Sequence, residues 1–121
     1  MRRILCTLSL LTLAAALACS TTRPAAPPAE RERTIPITAR RFEFEPKLLT
    51  LKRGEAVTLE LTSADVPHGF FSRPLGIDAD LTPGNPERVS LRPKEAGTYT
   101  VICDHYCGSG HGGMKMTIVV E

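Results

Sequence analysis

This sequence predicts an all-β fold of the Greek-key sandwich or barrel class, on three observations. Apolar residues recur at every second position in several short runs, as half-buried strands require. Those runs are separated by Pro46, Gly54, Pro67, Pro74, Pro83, Gly84, Pro86, Pro93 and Gly97, residues that end strands and form turns. Beyond the first eighteen residues, no stretch carries the 3.6-residue apolar repeat of an amphipathic helix. Short strands at this spacing bury themselves as two stacked sheets or a closed barrel.

In chain order, the first segment is not part of that fold. Residues 1–18 open with Arg2 and Arg3, continue uncharged from Ile4 to Ala18 and end in small residues, the layout of a secretory leader that is removed. The apolar run is shorter than the roughly 20 residues a helix needs to cross a bilayer. Ala16, Leu17, Ala18 and Cys19 resemble a bacterial lipobox, where cleavage falls before a cysteine that then carries lipid. A plain secretory leader cut nearby is the alternative. Residues 19–33, rich in proline and alanine and without apolar period, are expected to form an extended, lipidated tether. It would hold a folded unit, residues 34–121, off a membrane surface.

Within that unit the expected strands are FEFEP (42–46), LLTL (48–51), EAVTLELT (55–62), GFFS (69–72), RVSL (88–91), TYTVIC (98–103) and MKMTIVVE (114–121). The third is the clearest, with Val57, Leu59 and Leu61 alternating with Thr58, Glu60 and Thr62. Alternation places Tyr99, Val101 and Cys103 on one face of their strand, and Met114, Met116, Ile118 and Val120 on one face of theirs. If Tyr99 and Val101 face the core, so does Cys103. Met116 is read as core filling.

Charge narrows the partners. Without Arg2 and Arg3 the chain has 13 basic and 13 acidic residues, and no basic stripe stands out. Nucleic acid is therefore excluded, because phosphate binding needs clustered Lys and Arg. The run Arg31-Glu32-Arg33 and the pair Arg40, Arg41 are read as solvated surface. No nucleophile is paired with a base and no glycine loop suits a phosphate, so the chain alone is not expected to be a catalyst.

The chemistry concentrates in CDHYCGSGHGGM, residues 103–114, which holds Cys103, His105, Cys107, His111 and Met114 among four glycines. Glycines at 108, 110, 112 and 113 let the backbone turn tightly and approach closely. In an exported protein the plain expectation for Cys103 and Cys107 is a disulfide. Thiolate, imidazole and thioether together instead form a copper ligand set, and zinc gains little from methionine. His68, in DVPHGFF, is the histidine outside this loop and lies in a turn preceding a strand. Two copper readings compete. Cys107, His111, Met114 and His68 make a mononuclear blue-copper set, which leaves Cys103 unused. Alternatively, the two cysteines bridge two copper ions.

The pattern Cys103-x-x-x-Cys107-Gly-x-x-His111-x-x-Met114, after Asp65-Val66-x-His68, resembles the CuA domain of cytochrome c oxidase subunit II, a cupredoxin. Gly97-Thr98-Tyr99 and Pro83-Gly84 extend the resemblance across residues 42–121. The resemblance implies a cupredoxin-like sandwich and two copper ions bridged by Cys103 and Cys107. It implies that His68 and His111 each bind one ion, and that Met114 and the backbone carbonyl of His105 are the axial donors. It further implies single-electron transfer from a donor such as a cytochrome c to an oxidase or reductase. The chain departs from the pattern in three ways: it lacks the opening transmembrane helices, it carries His105 where glutamate or glutamine is usual, and it has no tryptophan. The alternative function is copper sequestration or delivery, for which the familiar Cys-x-x-x-Cys carriers use a helix-containing thioredoxin-like fold that this sequence does not predict.

Overall fold

A computed structural model describes residues 23–25 and 31–121. The segment expected to be a leader, Cys19 as the expected lipid-bearing residue and most of the expected tether lie outside the described residues. Among the described residues there are nine strands: β1 (Arg33–Arg40), β2 (Glu43–Glu45), β3 (Leu48–Leu51), β4 (Val57–Ser63), β5 (His68–Ser72), β6 (Ile77–Leu81), β7 (Glu87–Leu91), β8 (Gly97–Ile102) and β9 (Lys115–Val120). They form a four-stranded sheet in the order β2-β1-β4-β7 and a five-stranded sheet in the order β3-β9-β8-β5-β6. The pairs β1/β4 and β3/β9 are parallel and the others antiparallel, so both sheets are mixed. The expected all-β sandwich is what the chain forms.

Two strands go beyond those expected. In β1, Ile35, Ile37 and Ala39 alternate with polar positions, but Pro36 interrupts the run. The proline is accommodated because β2 pairs with β1 only at Thr38–Arg40, leaving Pro36 a neighbour on one side alone. In β6, Ile77, Ala79 and Leu81 are buried while Asp78 and Asp80 point outward. Aspartate is depleted in strands, and here packing of the inner face overrides that preference.

The core is filled by the inward positions of both sheets: Ile37, Ala39, Phe44, Val57, Leu59 and Leu61 from one, and Leu51, Phe70, Leu81, Val101, Met116, Ile118 and Val120 from the other. Phe44 and Phe70 meet edge to face across the sheets, ring centroids 5.3 Å apart. Burying each such side chain contributes about 1.5–3 kcal/mol. Met116 is core filling, as its strand position requires. At the base of β8, the Tyr99 hydroxyl donates to the Glu95 carbonyl at 2.8 Å and pins the approach to the strand.

This packing delivers three chain segments to one end of the sandwich. The hairpin of β8 and β9 is in register up to Ile102 opposite Lys115, and the Cys103 N–H donates to the Met114 carbonyl at 3.1 Å, adding one more rung. Strand β5 joins β8 through Phe71 opposite Ile102, so His68, the first residue of β5, arrives beside the same rim.

Candidate metal centre

Cys103 and Cys107 are free thiols, 4% and 5% exposed, with sulfurs 3.8 Å apart. That separation is well beyond the roughly 2.05 Å of a disulfide. His68 Nδ1 lies 3.9 Å from the Cys103 sulfur, and the ligand atoms of His68, Cys103 and Cys107 all fall within 4.8 Å of one another. On the other side, Cys107 Sγ lies 3.9 Å from His111 Nδ1 and 3.8 Å from Met114 Sδ. The His105 carbonyl accepts from the Cys103 thiol at 3.1 Å. The structure thus gathers the predicted residues into one cluster, with His105 contributing its backbone. Its imidazole, 44% exposed, turns outward to Asp80 at 2.9 Å.

Local sequence explains each placement. Parity carries the Tyr99–Val101–Cys103 face inward, and Met114 caps a single turn of 3₁₀ helix, His111–Gly113, before β9 begins. His68 sits on the inward face of β5 with Phe70, wholly buried, and is a strand residue instead of the turn residue expected. The Gly69 N–H, directly after it, donates to the Cys103 sulfur at 3.4 Å.

The loop glycines divide into two kinds. Gly108 adopts φ +138, a conformation side chains resist, and a Cβ there would lie 2.8 Å from the Phe42 ring. At Gly110 a Cβ would meet the same ring at 2.4 Å. Gly112 and Gly113 have open space around them and ordinary backbone angles, so close approach accounts for the first pair and not the second.

Electrostatics separate the cysteines from their surroundings. Burial, reinforced by the hydrogen bond and charge of Cys103, pushes the Cys107 thiol up to about 11. A metal binding there must displace that proton. Asp65 goes the other way. Partial desolvation alone would raise it, but hydrogen bonds from the Arg41 N–H at 2.8 Å, the His68 ring at 2.8 Å and the Val66 N–H at 2.6 Å hold it at about 2. An ionised carboxylate only accepts, so the proton in this bond sits on His68 Nε2, and Nδ1 is the ring atom left facing Cys103.

Two residues of this neighbourhood were not assigned to the site from sequence. Asp65 appeared only as part of the motif before His68. Arg41, read as solvated surface, is exposed as expected, and its Nε also donates to the Cys107 carbonyl at 3.0 Å, whereas Arg40 pairs with Glu43 and Glu45 at the surface. No sequence signal marks a contact between residues 66 positions apart.

A two-sheet sandwich with buried thiols and an imidazole clustered where strand ends converge defines a metal-binding β-sandwich. The chain belongs to the cupredoxin-like domain family, which it matches over residues 9–120. It is 35% identical over 88 residues to the cytochrome c oxidase subunit 2 of Thermus thermophilus, covering 73% of this chain and 65% of that protein. The chain spans 52% of a second such Thermus thermophilus sequence at the same identity, so these relatives are considerably longer. Among solved structures it resembles a chain of a heme-copper terminal oxidase dimer, with a TM-score of 0.68 and 26% identity over 74% of this chain and 65% of that one. The periplasmic domain of subunit II of the Bradyrhizobium japonicum cytochrome oxidase shares the fold, with a TM-score of 0.68 and 19% identity over 74% of this chain and 83% of that domain. No helix among the described residues is long and apolar enough to cross a membrane.

Proposed function

We propose that this chain is an envelope-anchored electron-transfer protein holding a dinuclear copper centre of the CuA type. One observation carries the reading: two buried sulfurs 3.8 Å apart, each with its own imidazole nitrogen at 3.9 Å and its own weak donor, the His105 carbonyl at 3.1 Å or Met114 at 3.8 Å. A mononuclear site has no use for this paired arrangement. Cys103 and Cys107 are the proposed bridging ligands, His68 and His111 the terminal ones, and Met114 and the His105 carbonyl the axial donors. The donor set suits copper because soft sulfur and imidazole together accommodate both of its common oxidation states. When bound, copper supplies one-electron redox chemistry shared between two ions.

The protein's part is to keep the ligands still and dry. Cys103, Cys107, His68 and Met114 are buried at strand ends, so little rearrangement accompanies a change of charge. Tyr106, 80% exposed, lies 6.0 Å from the His111 ring and presents an aromatic surface at the more open side of the site. A donor such as a cytochrome c is the proposed partner at this face, and an oxidase or reductase the proposed acceptor. Residues 1–18 are proposed as a leader, Cys19 as the lipid-bearing residue, 19–33 as the tether and 34–121 as the copper domain, on the periplasmic or outer face of a bacterial membrane.

The metal-free protein, reduced and loaded with cupric ion, is expected to bind two copper ions and show a paramagnetic resonance signal delocalised over two nuclei. Cys103→Ser should convert it to a one-copper site of blue-copper type. A wild-type protein that takes up a single ion rejects the dinuclear centre. Rapid loss of both ions to a competing chelator would favour delivery over electron transfer.

A further inference from the structure

We infer that Arg41 is a positioning residue for the metal centre and that its charge raises the centre's reduction potential, an inference that rests on the copper reading above. Arg41 lies at the corner between β1 and β2, in the four-stranded sheet, whereas the proposed ligands belong to β5 and the β8–β9 hairpin of the other sheet. It reaches across to both halves of the cluster. Its N–H donates to Asp65 Oδ2 at 2.8 Å, and the other oxygen of that carboxylate accepts from His68 at 2.8 Å. Its guanidinium Nε donates to the Cys107 carbonyl at 3.0 Å. The next residue, Phe42, lays its ring against Gly108 and Gly110. One corner therefore sets the orientation of an imidazole on one side of the site and of a thiol-bearing loop on the other.

The two functions of the side chain are separable. A carbonyl adjoining a buried ligand is held by a planar donor whose geometry lysine does not reproduce. Outer contacts of this kind commonly govern metal affinity by about 10- to 100-fold. The second function needs only charge. Arg41, an exposed residue, lines an open cleft of about 260 Å³ with Val66, Pro67, Tyr106, Cys107 and Gly108, and its Nε bond to the Cys107 carbonyl keeps a cation beside a group that gains an electron on reduction. A nearby cation favours the more negative state of such a group. Asp65 is the opposing charge, and the three hydrogen bonds it accepts spread that charge over their donors without removing it. Removing Arg41 leaves that carboxylate as the nearer charge and shifts the balance against reduction.

The test compares wild type, Arg41→Met and Arg41→Lys as full chains. It measures copper content, loss of copper to a chelator, the potential by redox titration and melting of the metal-free form. The bond from the residue 41 N–H to Asp65 survives in every variant, so the comparison isolates the side chain. Arg41→Met is expected to hold copper about 10- to 100-fold more weakly and to titrate at lower potential. Arg41→Lys should keep the wild-type potential while retaining copper less well. Wild-type potential and retention in Arg41→Met overturn the inference. If that variant does not fold, wild-type retention in Arg41→Lys overturns it. A wild type that binds no copper defeats the copper reading itself, and is told apart because no loaded state exists to compare.

Discussion

His68 and His111 each lie 3.9 Å from a cysteine sulfur, yet their surroundings differ in almost every other respect. His68 is fully buried on a strand, its ring aimed by the ionised Asp65. His111 is half-buried on a single 3₁₀ turn, followed by two glycines with open space around them and flanked by the exposed Tyr106. The difference assigns one side of the cluster to rigidity and the other to access. The loop itself repeats the division, since Gly108 and Gly110 are pressed against Phe42 while a Cβ added at Gly112 or Gly113 would meet nothing within 4 Å.

The sharpest way to break this comparison is to truncate each imidazole in the metal-free protein. His68→Ala leaves a cavity in the core and Asp65 without its ring partner, and should cost about 2–4 kcal/mol in chemical denaturation. His111→Ala should stay within about 0.5 kcal/mol of wild type. Equal losses would show that the two sides are built alike.

The loop comparison predicts a smaller effect. Gly110→Ala drives a methyl to 2.4 Å from the Phe42 ring, which is 40% exposed and can yield only by leaving the loop, and should destabilise by about 1 kcal/mol. Gly112→Ala should be silent within about 0.5 kcal/mol. Thermal melts of both variants decide the matter, and a silent Gly110→Ala would mean that Phe42 does not brace the loop.

The mildest effect is the pH dependence of the metal-free fold, where the two sides respond at opposite ends of the scale. Asp65 is depressed in the folded state, so its contribution is complete above its ordinary value of 3.8 and is lost as pH falls through about 2. The Cys107 thiol is raised, so its contribution is complete below its ordinary 9.0 and is lost as pH rises through about 11. Denaturation midpoints across pH should therefore fall at both extremes, with Asp65→Asn flattening the acid limb and Cys107→Ser the alkaline one. An alkaline limb unchanged in Cys107→Ser would remove the thiol as its cause.

Much of this could be read from the chain before any folding was considered. The period-two runs at 55–62, 98–103 and 114–121 announce strands because alternation is a local property of the backbone. The same parity turned Cys103 and Met114 inward. Strands β1 and β6 escaped that reading because Pro36 and the two aspartates of β6 speak against strands locally, and only an available edge and a buried inner face outweigh them.

By itself, then, the sequence determined the sandwich class and the cluster of soft donors in residues 103–114, since both depend on neighbours a few positions apart. His68 entered the site from sequence only through the resemblance; the tertiary structure decided that it faces Cys103 across 35 positions, that Asp65 aims its ring, and that Arg41 grips the Cys107 carbonyl across 66. Contacts of that span are made by the stacking of two sheets, and no local pattern encodes which surface residue will stand at their shared rim.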